Sequence, residues 1–209
     1  MNTTTSSIAR HQVTAIAPQD TPPVARMLAR AFADDPVLAW SIPHPTRRQA
    51  DSQRHFAAIL DLYRPKGHVY ADSRLRSAAL WAPPEDPQVR TAQILRLLPR
   101  LAGLYRHRLP LVLAGLIRVQ RRQPAEPFWY LAYLGTDPDH QGEGLASAVM
   151  APVLDRCDRD QQPAYLEASK PDLIPLYERY GFEVTQEIRL PVGPPVWGMW
   201  RAPQQPAHE

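Results

Sequence analysis

"GTDPDHQGEGLASAVM", residues 135–150, follows directly on the apolar run "FWYLAYLG" at residues 128–135. The run is short, aromatic and aliphatic, and bounded by Pro127 and a glycine, which reads as a buried strand. Residues 143–158 read as a helix. Turning a corner between the two needs one glycine. Gly142 and Gly144, followed by the small Ala146, imply that something comes very close to this backbone. A strand, a glycine turn and a helix gather free amide N–H groups in one concavity, and the helix dipole adds partial positive charge there. That makes an anion site, most naturally for phosphate. A β-carbon at 142 or 144 would hold a ligand off the amides, and glycine also permits positive φ. Gln141 adds a side-chain donor. The two common nucleotide loops, G-x-x-x-x-G-K-[ST] and G-x-G-x-x-G, do not fit. A tight strand-to-helix connection without a ligand would carry the same pattern.

Downstream of this turn the spacing predicts a strand at 164–168, a helix at 173–180, a strand at 182–190 and a strand at 196–201, the last two forming an antiparallel hairpin. Upstream it predicts a first strand at 12–17 and a helix opened by Thr21, Pro22 and Pro23 and stopped by Asp34-Asp35-Pro36. A second helix covers 46–64, with Phe56, Ile59, Leu60 and Tyr63 on one face. Paired strands follow around a turn at 72–74. A helical stretch at 88–122 breaks near Pro110, and its two apolar stripes read as core. Strands alternating with short helices define an α/β class with a mixed sheet. Residues 1–10 read as disordered, 11–202 as one domain and 203–209 as a loose tail.

The chain has 209 residues and a formal net charge of +3, too small to argue for nucleic acid and compatible with a polyanionic small molecule. Cys157 is the single cysteine, which excludes an internal disulfide and reads as an incidental thiol. No Cys/His cluster has metal-ligand spacing, so no metal is expected. "MNTTTSSIARHQ" lacks the apolar core of an export signal. The longest apolar run, at 109–117, is too short to span a bilayer. The reading is a soluble cytoplasmic protein that does not enter a membrane.

Gln141, Gly144 and Ala146 fill the defining positions of [QR]-x-x-G-x-[GA]. With the strand before it, "AYLEASKP" after it and "LYERYGFEV" beyond, this resembles the GNAT superfamily of acyl-CoA-dependent N-acyltransferases, in order and spacing over residues 128–184. Within it, "ARAFADDPV", "PAYLEAS", "IPLYERYGF" and "VGPPVWGMWR" resemble the subgroup of puromycin N-acetyltransferase and its bacterial relatives. The resemblance implies a central, mostly antiparallel sheet of about seven strands, flanked by helices and splayed between strands 4 and 5. It implies acetyl-CoA as acyl donor and a small-molecule primary amine, antibiotic- or metabolite-like, as acceptor. A protein or peptide amine and a non-catalytic acyl-CoA sensor stay as alternatives, and a homodimer is left open.

The same resemblance assigns roles. The pantetheine arm would pair with strand 4 at Leu134, Gly135 and Thr136. The diphosphate would rest on Gln141, Gly142, Glu143, Gly144, Leu145 and Ala146. Tyr177, four residues before Gly181, holds the position of the tyrosine that protonates the leaving thiolate. A phenol near 10 against a thiol near 8.5 stays protonated at neutral pH and donates to the sulfur. Glu167, where the splay opens, is the candidate base, or a structural carboxylate. Asp34 and Asp35, where the acceptor pocket is lined, are further candidates for the base, directly or through water, or simply stop a helix. Trp40 would add an apolar wall or pack in the core. The asparagine that many relatives carry before the tyrosine is absent; Ser169 or Lys170 is its candidate substitute, or the contact is missing. Pro152 is expected to kink its helix.

Overall fold

The computed structural model describes residues 11–86 and 91–204, with residues 91–96 as backbone only. Residues 1–10, and 205–209 of the expected tail, lie outside the described residues. The strands are β1 (Val13–Ala15), β2 (Val69–Asp72), β3 (Ser77–Ala82), β4 (Trp129–Thr136), β5 (Ala164–Ala168), β6 (Glu183–Arg189) and β7 (Pro195–Arg201). The helices are α1 (Thr21–Ala31), α2 (Pro36–Ser41), α3 (Arg48–Tyr63), α4 (Thr91–Tyr105), α5 (Leu109–Gln120), α6 (Leu145–Arg159) and α7 (Ile174–Glu178). The seven strands form one sheet in the order β1-β2-β3-β4-β5-β7-β6. Every neighbouring pair is antiparallel except β4–β5. The mixed, mostly antiparallel α/β sheet expected from the sequence is the observed one.

β3 shows why the sheet carries a layer on each face. All six of its residues are buried. Ala78, Leu80 and Ala82 join the core beneath α1 and α3, while Ala79 and Trp81 join the core beneath α6. Alternation with period two sends successive side chains to opposite faces. α6 closes its side with Val149, Met150, Val153, Leu154 and Cys157, each large aliphatic side chain contributing about 1.5–3 kcal/mol by burial. α6 runs through Pro152 without interruption.

Some helix ends differ from expectation. Asp20, not Thr21, is the N-cap of α1. The Asp34-Asp35 step does more than stop α1, because the Asp35 carboxylate accepts the Leu38 N–H at 2.8 Å and caps α2. α4 and α5 break at residues 106–108, which form a 3₁₀ turn, and Pro110 sits in the first turn of α5. Residue 204 of the expected tail is anchored. Its N–H donates to Asp158 at 2.8 Å, and Asp158 also receives both Arg201 guanidinium nitrogens at 2.7 and 2.8 Å. No helix among the described residues is long and apolar enough to cross a membrane.

The sheet opens where the site lies. β4 stays paired with β3 as far as Thr136, but pairs with β5 only from Trp129 to Leu131. Between those limits the β3–β4 register slips. Leu80 faces Tyr133 while Trp81 faces Leu131, so Ala132 is an extra residue. A bulge bends a strand and sharpens its twist. This one falls one residue past the last β4–β5 pair, which accounts for the divergence of the two parallel strands.

Candidate active site

The glycine turn meets the conditions of an anion cradle. Gly142 and Gly144 have φ of +82° and +79°, and a β-carbon on either would meet no atom within 4 Å. An L-residue would be strained there, and the space above both is open. Gly144 is the N-cap of α6, so the first-turn amides of a 15-residue helix face outward beside it. Gln141, Glu143 and Gly144 are exposed, Ala146 is half-buried, and the Leu145 side chain is buried as the turn's anchor. An acidic residue in such a turn would repel an anion, but Glu143 is paired. Its carboxylate lies 2.9 Å from His140 Nδ1 and accepts from Arg76 Nη1 at 3.0 Å. The His140 hydrogen bond, with the Arg76 charge adding to it, holds the carboxyl below its usual range. Arg76 is held by the buried Asp72 at 3.0 Å. Arg30 of α1 grips the turn from the other side, through Asp137 and Asp139. Sequence reasoning missed both arginines, since neither lies near the turn in the chain.

Backbone donors and acceptors on β4 divide between its two edges. The Asp137 N–H donates to the Arg76 carbonyl at 2.8 Å, and alternate residues of an antiparallel ladder face the partner strand. Gly135 therefore faces β3, while Leu134 and Thr136 turn their N–H and C=O toward the open gap. The Gly135 carbonyl also accepts from Ser77 Oγ at 3.1 Å. Of the three residues expected to meet the pantetheine, Gly135 is thus engaged elsewhere. Its lack of a side chain has another cause, since a β-carbon would lie 2.7 Å from Leu28 Cδ2 on α1.

The gap leads into a cavity of about 320 Å³, within the range of small-molecule sites. It brings together Asp35, Trp40, Glu167, Ser169, Leu134 and Tyr177. Asp34 is not among its walls; it points to solvent. α5, whose apolar stripe was expected in the core, supplies Val112, Gly115 and Val119 as cavity wall. Trp40 is clamped on that wall. Its Nε1 donates to the Val192 carbonyl at 3.0 Å, and a β-carbon at Gly193 would lie 2.7 Å from the same nitrogen.

Tyr177 is 7% exposed and packs edge-on against Phe182 at 6.1 Å. Burial, and then the charge of Asp35, push its phenol well above the usual value. It stays protonated across the physiological range, so its hydroxyl hydrogen is available to donate. Glu167 lies one residue past the last β4–β5 pair. It accepts from Tyr130 Oη at 2.7 Å and from Gln123 Nε2 at 3.1 Å. Burial raises its carboxyl above the usual value, and these two hydrogen bonds oppose the rise. Ser169, on the cavity wall, donates to Asp35 in a short contact, so its hydroxyl proton is committed.

The sequence also gave no notice of His55. It is buried on α3, with Nδ1 2.7 Å from Tyr105 Oη and Nε2 3.3 Å from Tyr133 Oη. Burial pushes the imidazole down to about 4, so it is neutral at physiological pH. The one available signal was a histidine on the buried arc of an amphipathic helix, next to Phe56. Cys157 is buried on the core face of α6, and burial pushes its thiol up to about 12. No group of three or more His, Cys, Asp or Glu among the described residues could hold a metal.

The open mixed sheet, parted between two parallel strands beside a glycine turn, is the arrangement that the sequence resemblance implied. Residues 104–199 match the acetyltransferase (GNAT) domain family. An N-acetyltransferase of Schizosaccharomyces pombe, named as uncharacterised, is 30% identical over 179 residues, covering 79% of this chain and 72% of that protein. Mycothiol acetyltransferase of Brachybacterium faecium is 37% identical over 84 residues, only 25% of its length. Among solved structures, one described as histone acetyltransferase HPA2 and related acetyltransferase, from Corynebacterium glutamicum, aligns over 95% of this chain and 99% of its own, with TM-score 0.70 and 26% identity. The polyamine N-acetyltransferase of Drosophila melanogaster shares the fold at TM-score 0.58 and 16% identity, over 91% of this chain and 99% of its own. The chain belongs to the GNAT acetyltransferases, and it is an acetyl-CoA-dependent N-acetyltransferase.

Proposed function

We propose that this enzyme acetylates a primary amine on a small molecule with an apolar body. The observation that carries the reading is the cavity at the β4–β5 gap, whose walls are mostly aromatic and aliphatic, with Glu167 and Asp35 as its carboxylates. A fold shared with a polyamine N-acetyltransferase agrees with a small amine as acceptor.

Acetyl-CoA supplies the activated acyl group. Its diphosphate fits the amides of residues 142–146, where two positive-φ glycines leave the approach clear, and its pantetheine fits the free edge of β4 at Leu134 and Thr136. Glu167 holds the incoming ammonium and takes its proton, because a neutral amine is the nucleophile. The unpaired backbone past the Ala132 bulge offers an N–H to the thioester oxygen as charge builds there. Tyr177 donates its phenolic hydrogen to the departing sulfur. Since burial makes this phenol a weaker acid than a thiol, its contribution is a hydrogen bond to developing thiolate more than complete transfer. Asp35 and Trp40 belong to the acceptor's walls.

Release of free CoA thiol, measured with acetyl-CoA and a panel of aliphatic and aromatic primary amines, tests this. Turnover with an apolar amine and the mass of its acetylated product are expected. Acetyl-CoA binding with no amine turned over, or acetylation of peptide lysines alone, would overturn it.

A further inference from the structure

We infer that the acceptor carries a second cationic nitrogen, so that the pocket selects a diamine-like dication over a monoamine of the same length. The inference deepens the proposed small-amine reading and rests on it.

The cavity is lined by two carboxylates, Asp35 and Glu167, and by no lysine or arginine among the described residues. His55, its one imidazole of buried character, stays neutral above about pH 4. Neither carboxylate forms an ion pair with a lysine, arginine or histidine of the described residues. Each is stabilised only by neutral donors: Leu38 N–H and Ser169 Oγ for Asp35, Tyr130 Oη and Gln123 Nε2 for Glu167. Buried charge without an opposite charge is costly, and proteins seldom keep it without a partner. One carboxylate is accounted for by the reacting amine. The other has no cation in the protein.

The two sit on different walls. Glu167 is on β5, at the vertex of the strand gap, on the side of Gln123 and Tyr130. Asp35 caps α2 and reaches Ser169, beyond the end of β5. A single ammonium at the vertex leaves Asp35 uncompensated. A second ammonium or amidinium, joined by an apolar spacer, would pair with it. Phe32, Tyr63 and Tyr133 also line the space, and aromatic faces attract cations.

This fixes the sign of a selectivity. In an apolar pocket with one carboxylate, a second ammonium would have to be desolvated without a partner, and the monoamine would win. With two carboxylates the diamine wins. The test compares kcat/KM for linear α,ω-diaminoalkanes of four to ten carbons with the n-alkylamines of matched length. The wild-type enzyme is expected to favour at least one diamine over its matched monoamine by ten-fold or more. Asp35→Asn keeps the helix cap, since asparagine caps as well as aspartate, and removes the charge; its amide NH2 then donates to the Ser169 hydroxyl, where the carboxylate accepts from it. The substitution is expected to reduce that preference to near unity, chiefly through KM. A monoamine used equally well or better at every length overturns the inference and leaves the small-amine reading standing. So does a diamine preference that survives Asp35→Asn. No turnover of either series, by enzyme that binds acetyl-CoA in calorimetry, overturns the small-amine reading and this inference with it.

Discussion

The two faces of the sheet meet the cleft in different ways. On the α6–α7 face the parts are near one another in sequence: β4, the glycine turn and the start of α6 occupy one continuous stretch, and Tyr177 follows on the next helix. On the α1–α5 face the cavity is assembled from afar. His55 reaches Tyr105 and Tyr133 across 50 and 78 residues, and Trp40 meets Val192 across 152. The first face presents fixed backbone, suited to a donor that is always the same molecule. The second presents side chains on four helices, which can change without disturbing the sheet. A transferase fold can thus keep its donor and exchange its acceptor.

Substitutions on each face sharpen that contrast. The largest effect is expected from Gly144→Glu, which adds both a negative charge and a strained φ to the cradle. Acetyl-CoA affinity in calorimetry should fall beyond detection, with the thermal melt lowered only by what about 1–2 kcal/mol of backbone strain implies; undiminished binding would remove the turn from the donor site. Tyr177→Phe comes next. Loss of a general-acid group typically costs about 10²–10⁴-fold, and the loss should appear in kcat while the acetyl-CoA Kd stays put.

Glu167→Gln probes the acceptor face. The base works only when deprotonated, and burial raises its carboxyl. The acid limb of the wild-type kcat/KM profile should therefore lie above the ordinary carboxylate range, with activity lost as pH falls through it. The variant should have lower kcat and no such limb. An unchanged profile would leave Glu167 a structural carboxylate.

His55 gives a stability readout on the same face. Its folded value is depressed from 6.5 to about 4, so the unfolded chain takes up the proton first. The contribution is fully present above pH 6.5 and is lost as pH falls toward 4, on the order of 3 kcal/mol. Urea melts between pH 4 and 7 should show that slope in wild type and a flatter one in His55→Gln. The smallest effect is expected from Gly193→Ala, which crowds the Trp40 indole. Overpacking of about 1–3 kcal/mol should raise the acceptor KM several-fold without changing acetyl-CoA binding.

The same contrast decides what could be read from the sequence. The β4–turn–α6 unit is local, so period, glycines and helix start coincide within about 30 residues, and β5 was legible to the residue. The opening between β4 and β5 was expected from resemblance; its physical cause, the Ala132 bulge, leaves no mark in the composition of "FWYLAYLG". Gly135 was legible as a glycine but its reason, the approach of Leu28, was not. The α5 stripe has the same pattern whether it covers a core or a cavity, and periodicity cannot separate the two. His55 meets Tyr105 and Tyr133, Arg30 meets Asp137 and Asp139, and Arg76 meets Glu143 across 50 or more residues, where spacing rules have no reach.

The most direct measurement is a crystal structure with acetyl-CoA bound. The diphosphate should lie on the amides of residues 142–146 and the sulfur within hydrogen-bonding reach of Tyr177 Oη, with the acetyl group facing Glu167 through the β4–β5 gap. A diphosphate bound elsewhere, or a sulfur separated from Tyr177 by intact packing, would contradict the proposed assignment of donor and acceptor to the two faces.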